Sequence, residues 1–255
     1  MTRAAVEVAP GVHVMTSRRY ATTSTAVIAD GEALVVDPCW DADELAGVAD
    51  FIRSKGARCA AGLATHLHYD HVLWHPDLGE APRWSSAWAA SQWETDRASL
   101  VRPLIGDIPD DLVEFAGRVT AIPDDDLPWR GRDIALHAHD AHARGHLAVE
   151  ITDAGVLLAG DMLSDVELPY PDADEPDLTS YLTGLDRLAE VVRRSRVLVP
   201  GHGTPTYSPI ERLDADRRYL DAVLADRPVD DPRLADPDNQ EIHARTVEQA
   251  RATAR

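Results

Sequence analysis

Cysteine is scarce: the chain of 255 residues has two, Cys39 and Cys59. Two cannot build a disulfide scaffold, and a reduced cytosolic pair is the expectation. Lysine is rarer, with Lys55 alone, and arginine carries nearly all the fixed positive charge. The formal net charge is −19. Such a chain repels polyanions and gains nothing from counterion release, which disfavours nucleic acid and anionic lipid as partners. Long apolar runs are missing too. No stretch approaches the ~18 apolar residues of a membrane span, and the first twenty residues lack the apolar run of a signal peptide. The expectation is a cytoplasmic, acidic protein with a small-molecule partner, no nucleic acid and no membrane. Hydrophobic residues still make up 44% of the chain, enough to bury a core.

Short β-rich runs at 12–15, 25–29 and 33–36 read as strands, the last two joined by Asp30-Gly31 in hairpin style. Residues 41–54 place Leu45, Val48, Ala49 and Ile52 at helical spacing. The small apolar run 59–65 reads as a buried strand. Residues 80–130 hold four of the six tryptophans and several prolines; they either cover the core or form a pocket wall, with a helix near 86–99. Strands are expected again at 133–138, 147–151 and 156–159, then an amphipathic helix at 178–194 and a strand at 196–199. Helices at 209–225 and 240–252 flank a Pro- and Asp-rich linker at 226–238. Strands, helix and strand thus occur twice, which predicts an α/β fold: a four-layer αββα sandwich of two similar halves. We read 1–255 as a single domain, with 80–130 a covering insertion and 226–255 a C-terminal linker and helix.

The chemistry concentrates in His66-Leu67-His68-Tyr69-Asp70-His71. In an extended segment residues i and i+2 share a face, so His66 and His68 can bind one ion. Asp70 and His71 follow where the strand gives way to a loop and can turn to a second. Three imidazoles and a carboxylate beside an apolar strand are costly to bury without a partner, and they suit zinc, manganese or iron. Further donors stand at strand ends and Gly-rich turns: His142 and His146 in His142-Ala143-Arg144-Gly145-His146, Asp161 after Gly160, and His202 between Gly201 and Gly203. His139 is a competing ligand candidate, and His75 a candidate for lining a pocket.

These four motifs, in this order, resemble the metallo-β-lactamase superfamily over residues 6 to about 220. The resemblance implies His66, His68 and His142 at one metal, Asp70, His71 and His202 at the other, and Asp161 bridging them. His146 would stand behind the ligands. Asp37, at the end of a strand, matches a structural Asp beneath the site that hydrogen-bonds a ligand. The implied cofactor is a pair of divalent ions, zinc first, with iron or manganese as alternatives. Two ions about 3.5–4 Å apart can share a hydroxide that attacks a carbonyl carbon, with Asp70 orienting it and relaying a proton. The expected activity is hydrolysis of a small ester, thioester or lactone. The alternatives are non-haem iron oxygenase or persulfide chemistry on the same ligands, or phosphodiester hydrolysis. Lactonases resembling this family carry Tyr three residues after the bridging Asp; here that residue is Ser164, and Tyr170 is the nearest tyrosine downstream. Arg144 either anchors a substrate carboxylate or points away. The acidic segment 165–177 is either a pocket rim or a solvated loop.

Overall fold

The computed structural model describes residues 4–171 and 177–253. Its first sheet has seven strands in sequence order: β1 (Ala5–Ala9), β2 (Val12–Thr16), β3 (Thr23–Ala29), β4 (Glu32–Val36), β5 (Arg58–Leu63), β6 (Arg83–Ser85) and β7 (Thr120–Ala121). β1 to β4 run antiparallel, and β4 to β7 pair in parallel. The second sheet has four strands: β8 (Ile134–His139), β9 (His146–Ile151), β10 (Val156–Gly160) and β11 (Val197–Pro200), with β10 and β11 parallel.

Alternation along the strands builds the layers, because successive side chains point to opposite faces. In β4, Leu34 and Val36 enter the core between the sheets, while Ala33 and Val35 pack outward beside helix α1 (Ala42–Ser54). In β10 and β11, Val156, Leu158, Val197 and Val199 face the inter-sheet core. Leu157, Ala159 and Leu198 face outward, where α5 (Leu178–Arg194), α6 (Pro209–Leu224) and α7 (Pro237–Thr253) cover them. The result is the four-layer αββα sandwich, although the two sheets differ in size.

α5 keeps its expected bounds. The Asp177 carboxylate accepts from Ser180 N–H at its start, and Arg193 and Arg194 complement the dipole at its end. Other elements depart from expectation. The strand before the histidine cluster ends at Leu63, so His66–His71 lies in loop and turn. The helix expected at 86–99 breaks at Asp96 into α2 (Ala87–Thr95) and α3 (Arg97–Leu100). A further short helix, α4, spans Asp110–Val113. α7 begins at Pro237, where the missing N–H costs nothing at the first helical position. Segment 80–130 does more than cover the sandwich, since β6 and β7 extend the first sheet. The cysteines form no disulfide: Cys39 Sγ lies 3.1 Å from Ser24 Oγ, and Cys59 Sγ lies 3.6 Å from the Ala61 carbonyl oxygen. Among the described residues, no helix is long and apolar enough to cross a membrane.

Candidate metal centre

The chemistry-bearing residues gather at one edge of the sandwich, each just beyond a strand end. β4 runs into Asp37, β5 into the His66–His71 loop, β10 into Asp161 and β11 into His202. The β8–β9 loop adds His142. His66, His68, His142 and Asp161 offer donor atoms within 4.8 Å of one another, and so do Asp70, His71 and His202. Asp161 touches both groups. Its Oδ2 lies 3.3 Å from His66 Nε2 and 3.4 Å from both His142 Nε2 and His202 Nε2. Its Oδ1 lies 3.2 Å from His71 Nε2. All seven residues expected from sequence are therefore brought together. His68 alone turns Nδ1 inward, 2.9 Å from His66 Nε2 and 3.1 Å from His142 Nε2.

The outward nitrogens explain how the rings are aimed. Asp37 is the hub: Oδ1 accepts from Thr65 N–H (2.7 Å) and Oδ2 from the Thr65 hydroxyl (2.8 Å), while His71 Nδ1 faces Oδ2 at 3.1 Å. Because the Thr65 hydroxyl donates to Asp37, its oxygen is left to accept from His66 Nδ1–H at 3.0 Å. His142 Nδ1 donates to the Tyr170 carbonyl and His202 Nδ1 to the Tyr20 carbonyl, each at 2.9 Å. With the outer nitrogens of His66, His142 and His202 committed as donors, their inner ones are available as ligands.

Two glycines allow the close approach. A Cβ on Gly201 would stand 1.9 Å from Asp161 Oδ1. Gly160 has φ +56°, and a Cβ there would stand 2.4 Å from the His146 ring.

The residues fit a pair of divalent ions. His71 Nε2 and Asp161 Oδ1 are buried with no hydrogen-bond partner, in a nest of acceptors. Burial opposes charge at His71 and His202, yet Asp161 and neighbouring carboxylates outweigh it and raise both well above the ordinary imidazole range. Burial likewise pushes Asp161 upward, but His71, His202 and His66 hold it well below the carboxylate range. The cluster draws positive charge, and a divalent cation meets the same demand by displacing protons. Burial, with His71 next to it, keeps His66 well below its ordinary value, in the neutral ligand form.

His146 is not at the cluster's inner face. Its Nε2 accepts from Asp161 N–H at 3.2 Å, and its ring stacks between His66 (4.8 Å) and His139 (4.6 Å). His139 lies outside both ligand groups; its Nδ1 accepts from Ala141 N–H. His75 caps the turn at Pro76–Leu78 and does not line the cavity beside the cluster.

That cavity, of about 420 Å³, opens on Asp70, His68, His142, Asp161 and His202. None of its lining residues comes from 80–130, so the pocket-wall expectation for that segment is corrected. Its tryptophans are used elsewhere. Trp93 donates to the Leu67 carbonyl, and Trp88 lies under the Arg144 guanidinium at 4.0 Å. Arg144 does not line the cavity either. The wall is built from 162–164 and 167–170, with Tyr20, Tyr69, Tyr181 and Ile242. The rim reading of 165–177 holds for its first part; residues 172–176 lie outside the described residues. Ser164 donates to the His202 carbonyl at 2.7 Å and accepts from the N–H groups of Val166 and Glu167, which shapes this wall. Tyr20 and Ile242 had no signal in sequence, because nothing local to them marks a site; Tyr69 stands within the His66–His71 cluster.

A sandwich of this kind, with His and Asp donors converging on one edge, defines a class of metal-dependent proteins. Residues 18–224 match the sequence family described as the metallo-beta-lactamase superfamily, and the chain belongs to that superfamily. Solved structures agree in fold. A metallo-beta-lactamase family protein from Thermus thermophilus is 23% identical with a TM-score of 0.61, covering 86% of this chain and 83% of its own. A beta-lactamase domain protein from Burkholderia ambifaria is 20% identical with a TM-score of 0.62, covering 87% and 75%. A metallo-beta-lactamase from Pontibacter korlensis is 15% identical with a TM-score of 0.59, covering 83% and 95%. No curated protein matches the sequence.

Proposed function

We propose that the chain is a dinuclear metal-dependent hydrolase acting at the carbonyl of a small ester, thioester or lactone. The observation that carries this reading is Asp161, which reaches both donor groups at the mouth of a substrate-sized cavity. His66, His68 and His142 would hold one ion, Asp70, His71 and His202 the other, and Asp161 both. Zinc suits this nitrogen- and oxygen-rich set, as do iron and manganese. When bound, such ions supply Lewis-acid polarisation of a carbonyl oxygen and make water acidic near neutral pH.

The chain's own residues do the remaining work. Asp70 lines the cavity 3.3 Å from His202 Nε2. It orients the attacking water, accepts its proton and returns it to the leaving atom. Asp37 and Thr65 keep His66 and His71 aimed, so little reorganisation accompanies the reaction. Leu163, Leu168 and Tyr170 line the cavity with apolar and aromatic surface. The redox alternative uses the same ligands, and metal content with oxygen uptake measured on one sample separates it from the hydrolase.

Asp70→Asn tests the assignment. General acid–base groups contribute roughly 10²- to 10⁴-fold, so turnover of an ester or lactone panel should fall by at least about 100-fold, with the circular dichroism spectrum intact. Turnover close to wild type would remove Asp70 from the mechanism.

A further inference from the structure

The cavity beside the candidate metal centre is acidic and aromatic. Among the described residues, no lysine or arginine lines it. Arg245 reaches only the Tyr170 hydroxyl, at 3.4 Å, and is not part of the lining. Beyond Asp70 and Asp161, two further carboxylates line the cavity, Glu167 and Asp216.

Asp216 is 1% exposed; Arg233 holds its Oδ1 at 2.7 Å, and its Oδ2 has no hydrogen-bond partner. Arg233 is also shared with Asp231 at 2.8 Å, so one guanidinium serves two carboxylates and the trio keeps negative charge. Glu167 is the more accessible group. Its side chain is 37% exposed, and its Oε1 lies 3.6 Å from His202 Nδ1. That nitrogen already donates to the Tyr20 carbonyl, so the Glu167 carboxylate is left to meet whatever enters the cavity.

The aromatic wall favours the same kind of visitor. The rings of Tyr20 and Tyr69 both pack against buried Trp40, with centroids at 5.9 and 5.5 Å. Tyr170 stands across the cluster beside His142, at 6.4 Å. All three tyrosines line the cavity. Tyrosine faces carry negative potential and attract cations, and away from the metal donors the described wall holds no basic residue to meet an anionic group on a substrate.

We infer that this cavity selects substrates bearing an ammonium group near the scissile carbonyl, with Glu167 as the residue that sets the preference. This rests on the hydrolase reading and narrows it. Glutathione-type thioesters, whose carboxylates lie away from the scissile bond, are disfavoured.

Two nitrophenyl esters of equal shape test it, one ending in trimethylammonium and its isostere ending in tert-butyl. Each is assayed on the metal-loaded enzyme and on a metal-loaded Glu167→Gln variant, with metal content measured in both. The wild type should favour the ammonium ester in kcat/KM by on the order of tenfold, as expected for a partly buried ion pair. In Glu167→Gln the ratio should fall to about one. Because the ratio is taken within each protein, a general weakening through His202 cancels. A wild-type ratio near one, or a ratio unchanged in the variant, overturns the inference while leaving a hydrolase. If neither ester is cleaved, the hydrolase reading fails for esters, and benzyltrimethylammonium titrated calorimetrically into the same two proteins decides the selectivity. Tighter binding to wild type supports it, and equal or absent binding overturns it.

Discussion

The two sheets contribute to the centre in different ways. The first supplies His66, His68, Asp70 and His71 from one loop, braced by a single polar hub at Asp37. The second supplies His142, Asp161 and His202 from three separated strand ends, braced by backbone carbonyls and by contacts that only glycine permits. A contiguous loop can be aimed by side-chain hydrogen bonds. Donors separated by 19 and 41 residues depend instead on how closely β10 and β11 approach. The first half is therefore expected to be sensitive to polarity, and the second to volume.

The largest effect is expected at Gly201. Alanine there would place Cβ on Asp161 Oδ1 and crowd the Gly160 backbone. A displacement of about 1 Å at a reacting centre costs roughly 100-fold, and overpacking a tight site costs about 1–3 kcal/mol. Turnover and thermal unfolding of Gly201→Ala should both fall; a fully active variant would show that β10 and β11 do not position Asp161 by close contact.

The next effect concerns the histidine stack behind the second sheet's ligands. Burial, only partly offset by Asp140, holds His139 down at about 4, against 6.5 for the free side chain. The unfolded chain takes up a proton below about 6.5 that the folded chain refuses until about 4. Stability tied to neutral His139 is thus complete above that window and lost as pH falls through it, by about 3 kcal/mol. In chelator, the stability advantage of wild type over His139→Gln should shrink by that order between pH 7 and pH 4. A difference independent of pH would place His139 in a solvated setting.

Asp37→Asn tests the first half. Weakening a hydrogen bond behind a metal-binding histidine costs about 10- to 100-fold in metal affinity. Competitive chelator titration should show that loss with little change in fold, because Thr65 N–H keeps an acceptor. Affinity equal to wild type would mean that Asp37 does not aim His66 and His71.

The same contrast governs what sequence could reveal. The loop from His66 to His71 was readable because its donors are adjacent, and Asp161 and His202 because each follows an apolar strand beside glycine; His142 was singled out over His146 only by the family resemblance. The layers were readable from the order of elements, strands, helix and strand occurring twice. β1, β6 and β7 were not: β1 is an edge strand with one buried residue, and β6 and β7 have three and two residues, too few to show a period. The cavity wall was misplaced for a related reason. Clustered tryptophans mark apolar burial, but which void a side chain borders depends on tertiary packing. Trp93 and Trp129 are consumed by the core, while Tyr20 and Ile242, distant in sequence, meet in the cavity lining.

The most direct test of the two-ion hydrolase is metal content measured on the same sample as turnover. Chelation should abolish hydrolysis of the responsive ester, thioester or lactone. Titrating zinc back should restore it with a break at two equivalents per chain. Full activity in metal-free protein, or recovery complete at one equivalent with no further binding, would contradict the account.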